Sequence, residues 1–127
     1  MVKAAMASGK RAVCAGPGNP PVLVDGTSCL TNAAKCVIFG GAYDNNLLCI
    51  GEKEVFVLDS VADRFMAALE QNGACRLNAG QLERLTRAAF VFPPGQGAGC
   101  PHPVVNRDLV GRDPAVLAKE AGATIPP

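Results

Sequence analysis

Apolar positions along the chain fall into short runs separated by glycine, proline and asparagine, and the runs switch between two periods. Val2 to Ala7 is short, apolar and rich in helix formers, with Gly9 placed to take the C-cap. Arg11-Ala12-Val13-Cys14-Ala15 is an apolar run ahead of a turn and predicts a buried strand. Pro20-Pro21 introduce a second strand, Val22-Leu23-Val24, which Asp25-Gly26 ends. Thr27 or Ser28 is then placed to cap a helix. Its apolar residues Leu30, Ala33, Ala34, Val37 and Ile38 follow the i, i+3, i+4, i+7, i+8 spacing, and Gly40-Gly41 is expected to end it.

The second half continues the alternation. Glu54 to Leu58 is β-branched and aromatic enough for a strand buried on both faces, as in a parallel sheet. Asp59 or Ser60 caps a helix through Gln71 with a buried stripe of Val61, Phe65, Ala68 and Leu69, and Asn72-Gly73 stops it. Asn78 with Gln81 is a capping-box start for a helix carrying Leu82, Leu85 and Ala89. Asp113-Pro114 starts a further helix and Gly122 stops it, while residues 93–101 read as a loop. Strands alternating with helices at these lengths predict an α/β chain with a mostly parallel sheet and flanking helices.

Composition narrows the function classes. The chain has 127 residues, 49% hydrophobic and 18% charged, which suits one domain with a modest core. Net charge is +1, with no basic block, so no nucleic-acid partner is expected. No apolar run reaches the length of a membrane span and the first residues form no signal-peptide apolar region, so no membrane partner is expected either. The six cysteines (14, 29, 36, 49, 75 and 100) are scattered without a C-x-x-C pair, which favours reduced thiols over a disulfide framework. Cys100 and His102 give two ligands where zinc needs three or four, so no metal is expected.

The densest candidate chemistry lies between Gly40 and Lys53. Cys49 sits on a run rich in glycine and asparagine just before the apolar segment Val55 to Leu58. That is the setting of a presented nucleophile, with its own backbone N–H available to a developing oxyanion. A cysteine is also often a small buried hydrophobe. Asn45 and Asn46 either donate to substrate or only shape the turn, because asparagine tolerates left-handed backbone. Glu52 and Lys53 read as a solvated surface pair. Gly16-Pro17-Gly18-Asn19-Pro20-Pro21 lacks the third glycine of a dinucleotide fingerprint, and its prolines remove donors that a pyrophosphate needs.

Four segments, in order, carry a family likeness: Lys3 to Lys10, Gly16 to Pro21, Tyr43-Asp44-Asn45-Asn46 through Cys49, and Glu52-Lys53-Glu54-Val55 through Asp59-Ser60-Val61-Ala62-Asp63. From Val2 to about Phe90 the sequence resembles the CoA-acylating aldehyde dehydrogenases, especially the propionaldehyde and acetaldehyde dehydrogenases of bacterial microcompartments. The resemblance implies NAD-dependent oxidation of a short-chain aldehyde to acyl-CoA, with coenzyme A as co-substrate. It puts the nucleophile at Cys49, the oxyanion and substrate pocket at Asn45 and Asn46, and the nicotinamide-bordering loop at Gly16, Pro17, Gly18 and Asn19.

Further expectations come with the family. Residues 1–20 correspond to the end of its nucleotide-binding part and 21–127 to the N-terminal portion of its catalytic domain, so the chain reads as a fragment. The alternative is a non-catalytic remnant, or a split-gene part that assembles with other chains. The full-length enzyme is implied to be a homo-oligomer in the cytoplasm or the microcompartment lumen, with the shell as a further partner. Hydrolytic relatives carry a glutamate where this chain has about Ala15, and no carboxylate occurs from Arg11 to Val24. Without a base to ionise water, a thioester persists until a thiol arrives, which favours acyl transfer over hydrolysis.

Overall fold

A computed structural model describes residues 2–16, 18–91 and 103–125. Two strands set the architecture. β1 (Pro21–Val24) pairs in parallel with β2 (Glu54–Val57), Pro21 opposite Glu54 and Val24 opposite Val57, and the Leu58 N–H extends the ladder to the Val24 carbonyl at 3.1 Å. A parallel pair needs a long crossover. Here it contains α2 (Leu30–Ala42) and a return segment, residues 43–53. α3 (Asp59–Gln71) follows β2 and packs beside α2.

The core lies where these two helices meet the sheet. Val24, Ala34, Phe65 and Ala68 are buried together, with Val22, Leu30, Val37, Val55, Val57 and Leu69 packed against them. The stripe expected on α3 is therefore in place: Val61, Phe65 and Ala68 are buried and Leu69 is half-buried. Among the described residues only one face of the sheet is covered. Leu23 and Phe56 point the other way and are 72% and 58% exposed. The expectation that Glu54 to Leu58 is buried on both faces is corrected accordingly, since both helices pack on one side.

A smaller helical pair flanks the core. α4 (Ala79–Ala89) begins with the predicted capping box, the Gln81 N–H donating to Asn78 and the Asn78 N–H to Gln81, both at 2.9 Å. α5 (Pro114–Ala121) has proline in its first turn and stops at left-handed Gly122 (φ 67°). The Arg84 guanidinium donates to the Ala121 carbonyl at 2.8 Å, satisfying an orphan acceptor at the end of α5. A short antiparallel pair, β3 (Phe90–Val91) with β4 (Val104–Val105), joins the two helices and was not legible in the pattern.

Three local expectations need correction. Residues 11–16 form no strand; Val13 is 94% exposed, and among the described residues no strand pairs with this segment. α1 (Val2–Ala7) forms and Gly9 is left-handed as expected. The residue capping α2 is Cys29, not Thr27 or Ser28, and Leu58 precedes α3 where Asp59 or Ser60 was expected; neither makes a side-chain capping bond. Thr27 and Ser28 turn their hydroxyls to the Asp25 carboxylate instead. The loop 93–101, with Cys100, and His102 lie outside the described residues.

Two measurements follow from this packing. Phe65→Ala removes a fully buried ring and is expected to cost about 3–5 kcal/mol in urea unfolding, whereas Phe56→Ala, already half in water, costs far less. The Thr27 hydroxyl and then the Thr27 N–H hold the Asp25 carboxyl below the ordinary carboxylate value. That contribution is present above pH ~3.9 and is lost as pH falls through the depressed folded value. Thr27→Val should move the Asp25 midpoint upward in an NMR carboxyl titration.

Candidate active site

The crossover from α2 to β2 carries the candidate chemistry. Beyond Ala42 three consecutive residues are left-handed: Asp44 (φ 50°, ψ 40°), Asn45 (φ 50°, ψ 36°) and Asn46 (φ 57°). Outside glycine, Asn and Asp are the residues that visit this region routinely. The reversal lays residues 47–53 back against the end of α2. A Cβ on Gly41 would stand 2.9 Å from the Glu52 carbonyl oxygen, and one on Gly40 would collide with the Glu52 carboxylate. Both glycines are inside the helix, so the expectation that they end it is corrected. Gly41 admits the returning backbone, and Gly40 leaves space for the Glu52 side chain.

Both asparagine amides are tied to backbone. Asn46 Nδ2 donates to the Gly41 carbonyl, and Asn45 Nδ2 donates to the Gly111 carbonyl at 3.0 Å. The second bond joins the loop to the segment before α5. Gly111 is left-handed (φ 70°) and packs on Leu47, where an added Cβ would stand 2.9 Å from Leu47 Cδ2. Each amide retains one N–H. The same residues line a groove of about 710 Å3 whose walls include Val37, Cys75 and Leu117. Cys49 is not among its lining residues.

Cys49 is exposed in a tight turn. The Gly51 N–H donates to the Leu48 carbonyl at 3.2 Å, and Cys49 and Ile50 occupy the corner. Among the described residues the Cys49 N–H has no acceptor. Lys53 reaches back across this turn, its Nζ donating to the Leu48 carbonyl at 3.0 Å and to the Gly51 carbonyl at 3.1 Å. Glu52 and Lys53 are therefore not a mutual surface pair: one packs on α2 and the other clasps the cysteine turn. Sequence reasoning missed both roles, and their place immediately behind the cysteine turn was the available signal.

The glycine loop arrives at the same turn. A Cβ on Gly18 would stand 3.3 Å from the Cys49 carbonyl oxygen and 3.9 Å from Ile50 Cγ2. Gly16 has open space around it and Asn19 is exposed; Pro17 lies outside the described residues. Among the described residues no three His, Cys, Asp or Glu side chains cluster as a metal site would require, and no helix is long and apolar enough to cross a membrane.

Comparison with known proteins gives this arrangement a context. No family model matches the chain. It is 40% identical over 126 residues to the propanal dehydrogenase (CoA-propanoylating) of Citrobacter freundii, covering 99% of this chain and 25% of that protein. Its fold matches a propionaldehyde dehydrogenase from the Clostridium phytofermentans fucose utilisation bacterial microcompartment with a TM-score of 0.81 and 39% identity, over 98% of this chain and 27% of that one. The chain is homologous to the CoA-acylating aldehyde dehydrogenases. It spans about a quarter of the length of the curated relatives it matches. A Rhodopseudomonas palustris propionaldehyde dehydrogenase solved with bound CoA and an acylated cysteine is a further match, at TM-score 0.79 and 32% identity over 98% of this chain and 27% of that one.

In this aldehyde dehydrogenase homologue the glycines at the end of α2 make a direct test of how the cysteine turn is seated. Replacing a helical glycine by alanine gains about 1 kcal/mol of propensity, while forcing a methyl against backbone costs about 1–3 kcal/mol. The contact at Gly41 is with backbone, so the clash is expected to dominate. Gly41→Ala should lower the midpoint of thermal unfolding and speed proteolysis within residues 47–53, while Gly26→Ala, which has open space around it, should not change that cleavage.

Proposed function

We propose that Cys49 is the nucleophile of a CoA-acylating aldehyde dehydrogenase acting on a short-chain aldehyde. The observation that supports this reading is the approach of Gly18 to the backbone of the Cys49 turn, which brings two segments far apart in sequence together beside an exposed cysteine. The acylated cysteine in the R. palustris homologue supports the same chemistry. Residues 1–20 then belong to the end of the nucleotide-binding part and residues 21–127 to the catalytic domain.

In the first half-reaction the Cys49 thiolate adds to the aldehyde carbon, and the carbonyl π electrons move to oxygen. The Cys49 N–H receives that oxyanion, while the Asn45 and Asn46 amides, bonded to the Gly111 and Gly41 carbonyls, hold the turn in place. Gly16, Gly18 and Asn19 would border the nicotinamide, and the absence of a side chain on Gly18 lets this loop lie against the Cys49 turn. A bound NAD supplies the hydride acceptor. The thioester left on Cys49 is taken by the CoA thiolate, which restores the Cys49 thiolate. No carboxylate lies between Arg11 and Val24 to ionise water, and a thiol, with a pKa near 8.5 against about 15.7 for water, needs no such base.

The acyl-transfer half runs in reverse without an aldehyde. Incubation with acetyl-CoA should place an acetyl thioester on Cys49 and release CoA, as read by peptide mass spectrometry under mildly acidic handling. Cys49→Ala should abolish the transfer. Equal acetylation of Cys14, Cys29, Cys36 and Cys75 would sink the assignment.

A further inference from the structure

We propose that Lys53 is a positioning residue for the oxyanion donor, acting through the peptide unit between Leu48 and Cys49. This rests on the reading of Cys49 as nucleophile. A trans peptide holds its C=O and its N–H in one plane and pointing opposite ways. Whatever fixes the Leu48 carbonyl therefore fixes the direction of the Cys49 N–H. Two donors meet that carbonyl: the Gly51 N–H at 3.2 Å, which closes the turn, and the Lys53 ammonium at 3.0 Å. The same ammonium holds the Gly51 carbonyl at 3.1 Å, so one side chain spans the turn from its first residue to its last.

The ammonium is not diverted elsewhere. Among the described residues the ion pair present is Glu83 with Arg87, on α4, and Lys53 has no carboxylate within salt-bridge reach. Its bonds to neutral carbonyls are charge-assisted, stronger than the ordinary amide kind. Drawing electron density toward the Leu48 oxygen also polarises the shared amide and makes the Cys49 N–H a better donor. The effect is aimed at an oxygen that becomes negative during addition to a carbonyl. It offers nothing to a reaction at the sulfur in which no oxyanion forms.

That difference supplies the test. Iodoacetamide alkylates Cys49 by displacement of iodide, with no oxyanion, whereas p-nitrophenyl acetate acylates it through a tetrahedral oxyanion that expels p-nitrophenolate. The ratio of the two second-order rates at Cys49, followed by peptide mass spectrometry, isolates the donor from the reactivity of the thiol. Removing an oxyanion donor costs about 10²–10³ in rate, and misdirecting one that is still present costs less, about tenfold. Lys53→Met should lower the acylation-to-alkylation ratio by about tenfold, and Lys53→Arg should restore most of it. Lys53→Gln, a neutral donor, should fall between and carries the comparison if Lys53→Met loses its circular dichroism signature. An unchanged ratio in Lys53→Met and Lys53→Gln overturns the proposal. A wild-type Cys49 acylated no faster than the exposed Cys14 overturns instead the nucleophile assignment on which it rests.

Discussion

Parallel pairing of β1 with β2 is the constraint on which the rest of the arrangement depends. Parallel neighbours start at the same end, so the chain must travel the length of the sheet, turn, and come back before β2 begins. α2 makes the return journey, and the segment after it is delivered to the edge where both strands start. Pro21 and Glu54 lie opposite each other there. The residues just ahead of each strand, the glycine loop on one side and the Cys49 turn on the other, are brought together by this register. Gly18 meets Cys49 because of strand topology, with no contact between the two segments required in advance. Open α/β sheets ordinarily gather ligands at the carboxyl ends of their strands; here the thiol sits at the amino ends.

The return segment after α2 runs close against that helix, and its composition reflects the lack of space. Three left-handed residues turn the chain within one loop, using Asp44, Asn45 and Asn46 where most side chains would be strained. The returning backbone then lies so close to the last turn of α2 that a side chain at Gly41 would press on it, and the Glu52 side chain occupies the space beside Gly40. Asn46, Asn45 and Lys53 finish the job from three directions, tying the loop to α2, to the segment before α5 and to itself. An exposed cysteine is thereby held on a turn with little freedom, which is what a nucleophile that must meet its oxyanion donor in a fixed geometry requires.

The family likeness read from the sequence agrees with the homologues, most of the expected helices form, and the disagreements lie in helix ends, in the run 11–15 and in burial. Both helices pack on one side of the sheet, so alternate residues of β1 and β2 divide sharply: Val24 is fully buried while Leu23 and Phe56 face outward. A continuous apolar run says that a strand can be covered twice, not that it is. The apolar run 11–15 likewise has strand composition, but among the described residues no strand supplies its hydrogen bonds, and it is irregular.

What the sequence determined by itself was whatever depends on neighbours within a few residues. The stripe of Val61, Phe65 and Ala68, the reciprocal Asn78–Gln81 cap and the left-handed stop at Gly122 follow from helix period and local hydrogen bonding. Tertiary structure decided the rest: that Gly41 admits a returning chain and neither Gly40 nor Gly41 ends a helix, that Asn45 is spent on Gly111, that Lys53 clasps the turn, and that Gly18 lies against Cys49. Each of these is a contact between backbone segments fixed by strand register and loop closure. Side-chain types along the chain carry no direct record of such distances, because several partners would satisfy the same glycine, amide or ammonium equally well.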